Sequence, residues 1–431
     1  MLIEFKVANF RSIREEQALS LVASNYEKDL PDCVIERNLP GLAGVKFLRG
    51  AAIYGANASG KSNVLKAVQF LADFVRHSAT KIEPGDPTGT EPFKLDQISI
   101  HQPSKFEITF VVEEIRYLFG LSLTTQRVLE EYLVAYPKGL PQRWYHRTYD
   151  ERQNIYTWEK PATGFKRDKS LEIKTRENAL FISVATQFNH PQLTPIFSWF
   201  QHNLQFNPTN SSLSKGIHKT WAIKKLREYG YFERVQNLLR SADIGIADIK
   251  ITQSKDENKT SSLTNSYSEE SAHVFEKNIR TEEGEIQFIH KASDNQDVLF
   301  DYNSEESEGT RRFFELTSSW IDILEHGNTA FLDEIEISLH PLLVRELLKL
   351  LFCRKNNPKG AQIIFTTHNP ILLDTTLMRR DQIWFTEKSP AGATHLYPLT
   401  DYQPRKDEAL TKGYLAGRYG GIPFIPEGLK L

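Results

Sequence analysis

Gly55-Ala56-Asn57-Ala58-Ser59-Gly60-Lys61-Ser62 fits the pattern G-x-x-x-x-G-K-[ST] at every position, and its neighbours decide the fold. An apolar run from Phe47 to Tyr54 leads into it. From Asn63 to Val75 the residues Val64, Leu65, Val68, Leu71, Ala72 and Val75 recur at helical spacing. Strand, glycine loop and helix thus follow in the order a phosphate site needs. The glycines let successive backbone N–H groups converge on phosphate oxygens at a helix N-terminus. Lys61 is expected to reach the β and γ phosphates and the Ser62 hydroxyl to bind Mg²⁺, with Gly55 to Asn63 as the nucleotide-binding loop. A glycine-rich turn before a helix is the plain alternative, and the complete pattern in this context argues against it.

Three further segments extend the chemistry. Phe331-Leu332-Asp333-Glu334 ends an apolar strand on two carboxylates, as a Walker B element does. Asp333 is expected to hold the metal, and Glu334 to orient or deprotonate an attacking water, with Glu336 a weaker candidate for that base. Asn303 to Arg312 precedes an apolar-periodic helix with Phe313, Phe314, Leu316 and Trp320. Its Ser307-Glu308-Gly309 suits a Ser-x-Gly turn that offers a hydroxyl and N–H groups to the γ phosphate held by another subunit; alone, it reads as an ordinary helix cap. Gln362 to Pro370 is a buried strand with His368 just past its end, where an imidazole can sense a γ phosphate.

Composition sets the limits. The 431 residues carry a formal charge of -2, so no overall basic excess marks a nucleic-acid binder. Cys33 and Cys353 lie far apart, outside any CxxC or Cys/His cluster, which argues against a zinc site or a disulfide framework. The opening MLIEFKVANFRSIREE shows no signal-peptide pattern, and no stretch reaches the length of a membrane span. A cytoplasmic protein with no membrane partner is the expectation.

Along the chain, Leu2–Phe10 and Leu19–Ala23 read as strands. Lys105–Val112 and Arg116–Thr124 read as a hairpin, with Val128–Ala135 and Asn154–Glu159 extending an antiparallel sheet. From about Asn178 to Arg240 the pattern turns helical, with Trp199, Trp221, Leu226, Phe232, Val235, Leu238 and Leu239 as buried positions, and polar Ser254–Ser271 reads as a mobile loop. Strand character returns at Glu285–His290, Val298–Tyr302, Thr329–Leu332 and Gln362–Thr366, with a helix at Leu342–Phe352. The expected fold is α/β: a P-loop NTPase head with an antiparallel β subdomain and a helical insertion, and its motifs are similar to those of the ABC type. Its parts are residues 1–177 (P-loop and β subdomain), 178–284 (insertion with the loop) and 285–431 (signature, Walker B and switch histidine).

These motifs, with Val7-Ala8-Asn9-Phe10-Arg11-Ser12 near the start and Gly417-Arg418-Tyr419-Gly420-Gly421-Ile422-Pro423-Phe424 near the end, resemble the ABC-type ATPases of the RecF, Rad50 and SMC group. The nearer likeness is to the AAA15/AAA21 ATPases related to overcoming-lysogenization-defect (OLD) proteins, including RloA/AbiL-like members. The resemblance implies ATP and Mg²⁺ as ligands, and a homodimer or higher homo-oligomer that sandwiches nucleotide between one P-loop and the opposing signature turn. It also implies a role in phage defence or abortive infection with a separate effector such as a nuclease. No complete C-terminal Toprim nuclease is expected in the roughly sixty residues after His368. A Q-loop glutamine is left open between Gln97 and Gln102. The rival reading is a RecF-like clamp on nucleic acid, for which Lys215, Lys219, Lys224, Lys225, Arg227, Arg234 and Arg240 would serve, although such charges commonly form a solvated face. A transporter ATPase fits less well, given the atypical signature and the large insertion.

Overall fold

The computed structural model describes residues 1–207, 231–242, 245–253, 284–405 and 408–423. The first elements are β1 (Leu2–Ala8), β2 (Gln17–Ser20), β3 (Val34–Glu36), β4 (Lys46–Leu48), β5 (Gly50–Gly55) and α1 (Lys61–His77). Next come β6 (Ser104–Val112), β7 (Ile115–Leu123), β8 (Val128–Tyr136), β9 (Gln142–Asp150) and β10 (Ile155–Trp158). They are followed by α2 (Lys169–Lys174), α3 (Phe181–Gln187), α4 (Thr194–His202), β11 (Leu204–Asn207), α5 (Tyr231–Ser241) and β12 (Ile246–Gln253). Beyond these lie β13 (Gly284–Lys291), β14 (Asp297–Asp301), α6 (Glu308–His326), β15 (Thr329–Leu332), α7 (Pro341–Phe352) and β16 (Gln362–Thr366). The last are β17 (Ile383–Lys388), β18 (Thr394–Pro398) and α8 (Leu410–Leu415).

The chain divides into two compact units, the first made of Met1–Asn207, Leu324–Ile335 and Leu348–Leu431, the second of Pro208–Ile323 and Glu336–Leu347. In the first unit a seven-stranded antiparallel sheet runs β10-β9-β8-β7-β6-β1-β2. Its β6–β7 hairpin turns on Glu113 and Glu114, which both take positive φ (49° and 60°), the backbone that matches a two-residue turn to strand twist. A second sheet runs β11-β15-β16-β5-β17-β18, parallel except for β18. Every residue of β5 is buried, as expected of a strand inside a parallel sheet covered on both faces.

Helix α1 and the antiparallel sheet share one core. Phe10, Phe70 and Phe106 meet with ring centroids 5.2–5.4 Å apart, and Phe110 stacks on Trp199 of α4 at 4.2 Å. Helix α3 is seated by a buried carboxylate: Glu131 accepts the Phe181 and Ile182 N–H groups (2.8 and 3.2 Å) and the Tyr145 hydroxyl (3.0 Å). Burial pushes the Glu131 pKa above its ordinary value, although the neighbouring Arg147 guanidinium pulls it down. In the second unit β12, β13 and β14 form an antiparallel sheet, Phe288 packs edge-on against Phe314 (5.5 Å), and the Trp320 indole donates to the Leu347 carbonyl (2.9 Å).

Several sequence expectations change here. The segment read as helical from Asn178 also holds β11, which adds to the parallel sheet beside β15 because Phe206 stacks on Phe331 at 4.8 Å. Residues 178–207 lie in the first unit, since Phe181, Ile182, Ile196 and Phe200 bury in the core that contains Phe110 and Phe119. Strands β9, β12, β17 and β18 did not stand out in the sequence. Trp199, Val235 and Leu239 are buried as expected, whereas Phe232 and Leu238 are only partly so. Trp221, Leu226, Ser254–Ser271, Phe424 and the basic positions Lys215, Lys219, Lys224, Lys225 and Arg227 lie outside the described residues. Of the remaining basic candidates, Arg234 is exposed and Arg240 is engaged by the Ala247 carbonyl (2.7 Å) and Asp248 (3.6 Å). No helix among the described residues is long and apolar enough to cross a membrane.

Candidate functional site

The strand-loop-helix reading of residues 47–75 is what the chain forms: β5 ends at Gly55 and α1 begins at Lys61. The loop between them has no slack. A Cβ on Gly60, whose φ is +107°, would sit 2.0 Å from the Thr394 hydroxyl, and one on Gly55 would sit 2.4 Å from the Thr386 hydroxyl. Asn57 and Ala58 stand exposed at the loop's tip, with Ala58 in a left-handed conformation (φ 63°), while Ser59 is buried. Lys61 is 5% exposed and its ammonium donates to the carbonyls of Gly55 and Ala56 (2.9 and 3.0 Å), across the mouth of the loop.

A directed chain of hydroxyls holds the loop from outside. Thr394 donates to the Ser59 carbonyl (2.9 Å); its single proton being used, it accepts from Ser12 (2.8 Å), which in turn accepts the Asn63 amide (2.6 Å). Thr386 likewise donates to the Tyr54 carbonyl (3.3 Å) and so accepts from the Ser59 hydroxyl (2.6 Å). Ser12, Thr386 and Thr394 were not candidates on sequence grounds; the only signal was Ser12's place in the opening motif. Asn9 of that motif donates to the Ser99 and Gln102 carbonyls (2.8 Å each) and accepts the Phe93 N–H (3.0 Å), which ties the motif to the loop leading to β6. Gln97 and Gln102 are both exposed on that loop. A cleft of about 260 Å³ opens beside Asn63, lined also by Arg11, Ser12, Lys94 and Lys388.

Asp333 and Glu334 follow β15 as expected, and the parallel pairing of β15 with β16 brings His368 to them. Asp333 Oδ1 accepts the Ser62 hydroxyl (3.0 Å) and the Thr366 hydroxyl (2.6 Å). Glu334 has a left-handed backbone (φ 50°), and its N–H donates to the same Thr366 hydroxyl at 2.7 Å. Its carboxylate lies 3.9 Å from His368 Nε2, both groups being more than a third exposed. The residues expected to serve phosphate, metal and water, namely Gly55–Asn63, Asp333, Glu334 and His368, are thus in one unit and linked through Ser62 and Thr366. The closing motif also reaches the loop: a Cβ on Gly421 would come within 3.6 Å of the Gly55 Cα, and the Gly421 N–H donates to Glu387 (2.7 Å).

Ser307, Glu308 and Gly309 lie in the second unit with Glu336. The Ser307 hydroxyl accepts the Thr310 N–H (3.0 Å) and so caps α6. Gly309 packs so closely on residue 338 that a Cβ there would lie 2.8 Å from the Ser338 carbonyl oxygen. Ser338 itself takes a positive φ (60°).

The donor set suits Mg²⁺. One hydroxyl and one carboxylate, Ser62 and Asp333, converge, and among the described residues no group of three or more His, Cys, Asp or Glu side chains forms a metal cage. Mg²⁺ bound with phosphates characteristically takes one or two protein ligands and keeps several waters.

No curated protein matches the chain in sequence. Among solved structures it is similar to the Smc head bound to the C-winged helix domain of ScpA, with TM-score 0.44 and 11% identity over 92% of this chain and 96% of that one. It is also similar to the Smc head with an extended coiled coil bound to the C-terminal domain of ScpA, derived from Pyrococcus furiosus, with TM-score 0.45 and 11% identity over 93% and 97%. Residues 51–374, more than half of the chain, match the family described as "AAA domain, putative AbiEii toxin, Type IV TA system", and the chain belongs to that AAA21 family of P-loop ATPases.

Proposed function

We propose that the protein binds and hydrolyses ATP as an ABC-type head, and that its nucleotide state governs a partner protein in phage defence or abortive infection. The observation that carries the catalytic part is the meeting of Ser62 and Asp333 at 3.0 Å directly below the phosphate loop, with Glu334 on the next residue. Lys61 would exchange its two loop carbonyls for phosphate oxygens. Ser62 and Asp333 would hold Mg²⁺, which when bound supplies charge neutralisation on the phosphates. Glu334 would take the proton of the attacking water, and His368 would contact the γ phosphate and report its loss. The cleft beside Asn63 would take the sugar and base. Ser307-Glu308-Gly309 would serve the nucleotide of a second copy. The defence setting is supported by the words "putative AbiEii toxin, Type IV TA system" in the family's description.

Two substitutions test the assignment. Lys61→Ala should weaken nucleotide binding by about 10- to 100-fold, since it removes charge-assisted hydrogen bonds. Glu334→Gln should keep binding and lower turnover by about 10²- to 10⁴-fold, the usual worth of a general base. Measured ATP affinity and single-turnover hydrolysis separate the two, and normal turnover in Glu334→Gln would move the base to Glu336 or elsewhere.

A further inference from the structure

We propose that Thr366 is a positioning residue that aims the Asp333–Glu334 turn and couples it to His368. The proposal rests on the reading of Glu334 as the base. Thr366 is fully buried at the end of β16, and its one hydroxyl makes two directed bonds. It donates to Asp333 Oδ1 (2.6 Å) and accepts the Glu334 N–H (2.7 Å). A hydroxyl has one proton, so this orientation is the only one that satisfies both partners.

Two consequences follow from the geometry. Oδ1 of Asp333 accepts both the Ser62 and the Thr366 hydroxyls, so Thr366 fixes the carboxylate that is read as the metal ligand. Glu334 sits at φ 50°, a conformation that costs free energy for a residue with a side chain and persists only where the surroundings impose it. Thr366 imposes it twice: its hydroxyl receives the Glu334 N–H, and its carbonyl receives the Ile335 N–H (3.1 Å). His368 lies two residues further along the same strand end. The next residue, Thr367, is pinned by its own N–H to the Ile53 carbonyl of β5 (3.1 Å). A shift of the strand end on contact of His368 with a phosphate would move the Glu334 turn through its two hydrogen bonds to Thr366. The link between sensor and base is one residue, Thr366, within one copy, and nothing in the spacing of FLDE and TTHNP names it.

The test compares Thr366→Val, which keeps shape and removes the hydroxyl, with Thr366→Ser, which restores it, each alone and in a Glu334→Gln background. Thr366→Val should lower kcat by about 10- to 100-fold, the scale of a displacement of about 1 Å at a reacting group. Its affinity for ADP measured without metal should stay within about threefold of wild type, because the phosphate loop is untouched. Thr366→Ser should recover most of the rate. In the Glu334→Gln background Thr366→Val should cost much less than in the wild type, since the base it positions is already disabled. Equal losses in both backgrounds, or turnover near wild type in Thr366→Val, would overturn the proposal. If Thr366→Val and a second variant, Thr366→Ala, both lose ADP binding measured without metal, the hydroxyl is needed for folding and the positioning role is refuted. Normal turnover in Glu334→Gln alone removes the base assignment itself, and the Thr366 inference falls with it.

Discussion

Gly60 carries the tightest constraint in the phosphate loop. Its φ of +107° is open to glycine and strained for residues with a side chain, and the Thr394 hydroxyl would lie 2.0 Å from an added Cβ. Gly60→Ala must therefore either push Thr394 away or reshape the turn into α1, and both displace the N–H groups that face phosphate. We expect nucleotide affinity to fall by about tenfold or more, with little change in the far-ultraviolet circular dichroism. Unchanged affinity in a folded Gly60→Ala protein would show that the loop tolerates a different path. At this scale the sequence was most informative where the chemistry is local. A phosphate loop is built from consecutive residues, so its spacing is written in the chain. The hydroxyls of Ser12, about fifty residues before the loop, and of Thr386 and Thr394, more than three hundred after it, reach the same loop, and a lone Thr in a strand carries no mark of what it will face.

At the scale of elements, β5 is held in the middle of its sheet by β16 on one side and β17 on the other, and β17 and β18 also supply the threonines that grip the loop. Thr394→Val keeps the strand and its volume but breaks the chain running from Asn63 through Ser12 to the Ser59 carbonyl. It leaves Ser59's carbonyl without that donor at a buried position. The expected result is a loss of about five- to tenfold in nucleotide affinity, recovered in Thr394→Ser, as for one buried hydrogen bond. Titration with a fluorescent nucleotide checks it, and affinity unchanged in Thr394→Val would mean that the backbone pairing of β18 alone sets the loop. The elements legible in sequence were those with clear periodicity, such as α1 and β6, or with a short apolar run, such as β16. Strand β9 was not legible, because it mixes polar residues with aromatics out of any strict alternation, and its buried positions include Arg147, a charge met by tertiary contacts with Glu131, the Ala179 and Arg176 carbonyls and the Tyr156 ring. Strand β11 is four residues long, too short for any period to show.

For the whole molecule the decisive count is one phosphate loop and one signature turn per chain, where the proposed site takes one of each from opposite copies. Hydrolysis should then depend on association of two molecules related by a twofold axis. Gly309 is a poor probe of this, because any side chain there meets its own chain's Ser338 carbonyl before it could meet a neighbour's phosphate. Ser307 is better: it is exposed, and its structural task is to cap α6 by accepting the Thr310 N–H. Aspartate caps helices as well as serine does, so Ser307→Asp keeps the helix while it presents a carboxylate to the phosphate held by the other copy. Lys61→Ala carries the opposite lesion, in the copy that holds the nucleotide. Each variant alone should be nearly inactive. Mixed in equal amounts, half of the dimers pair the two variants, and each such dimer has one site with both lesions and one with neither. Activity should then return to about a quarter of wild type if the sites fire independently. A mixture that stays silent, although cross-linking shows the mixed dimer, would mean that both sites must fire together. Undiminished hydrolysis in Ser307→Asp alone would exclude the trans role of Ser307-Glu308-Gly309 and leave that turn as a helix cap and nothing more.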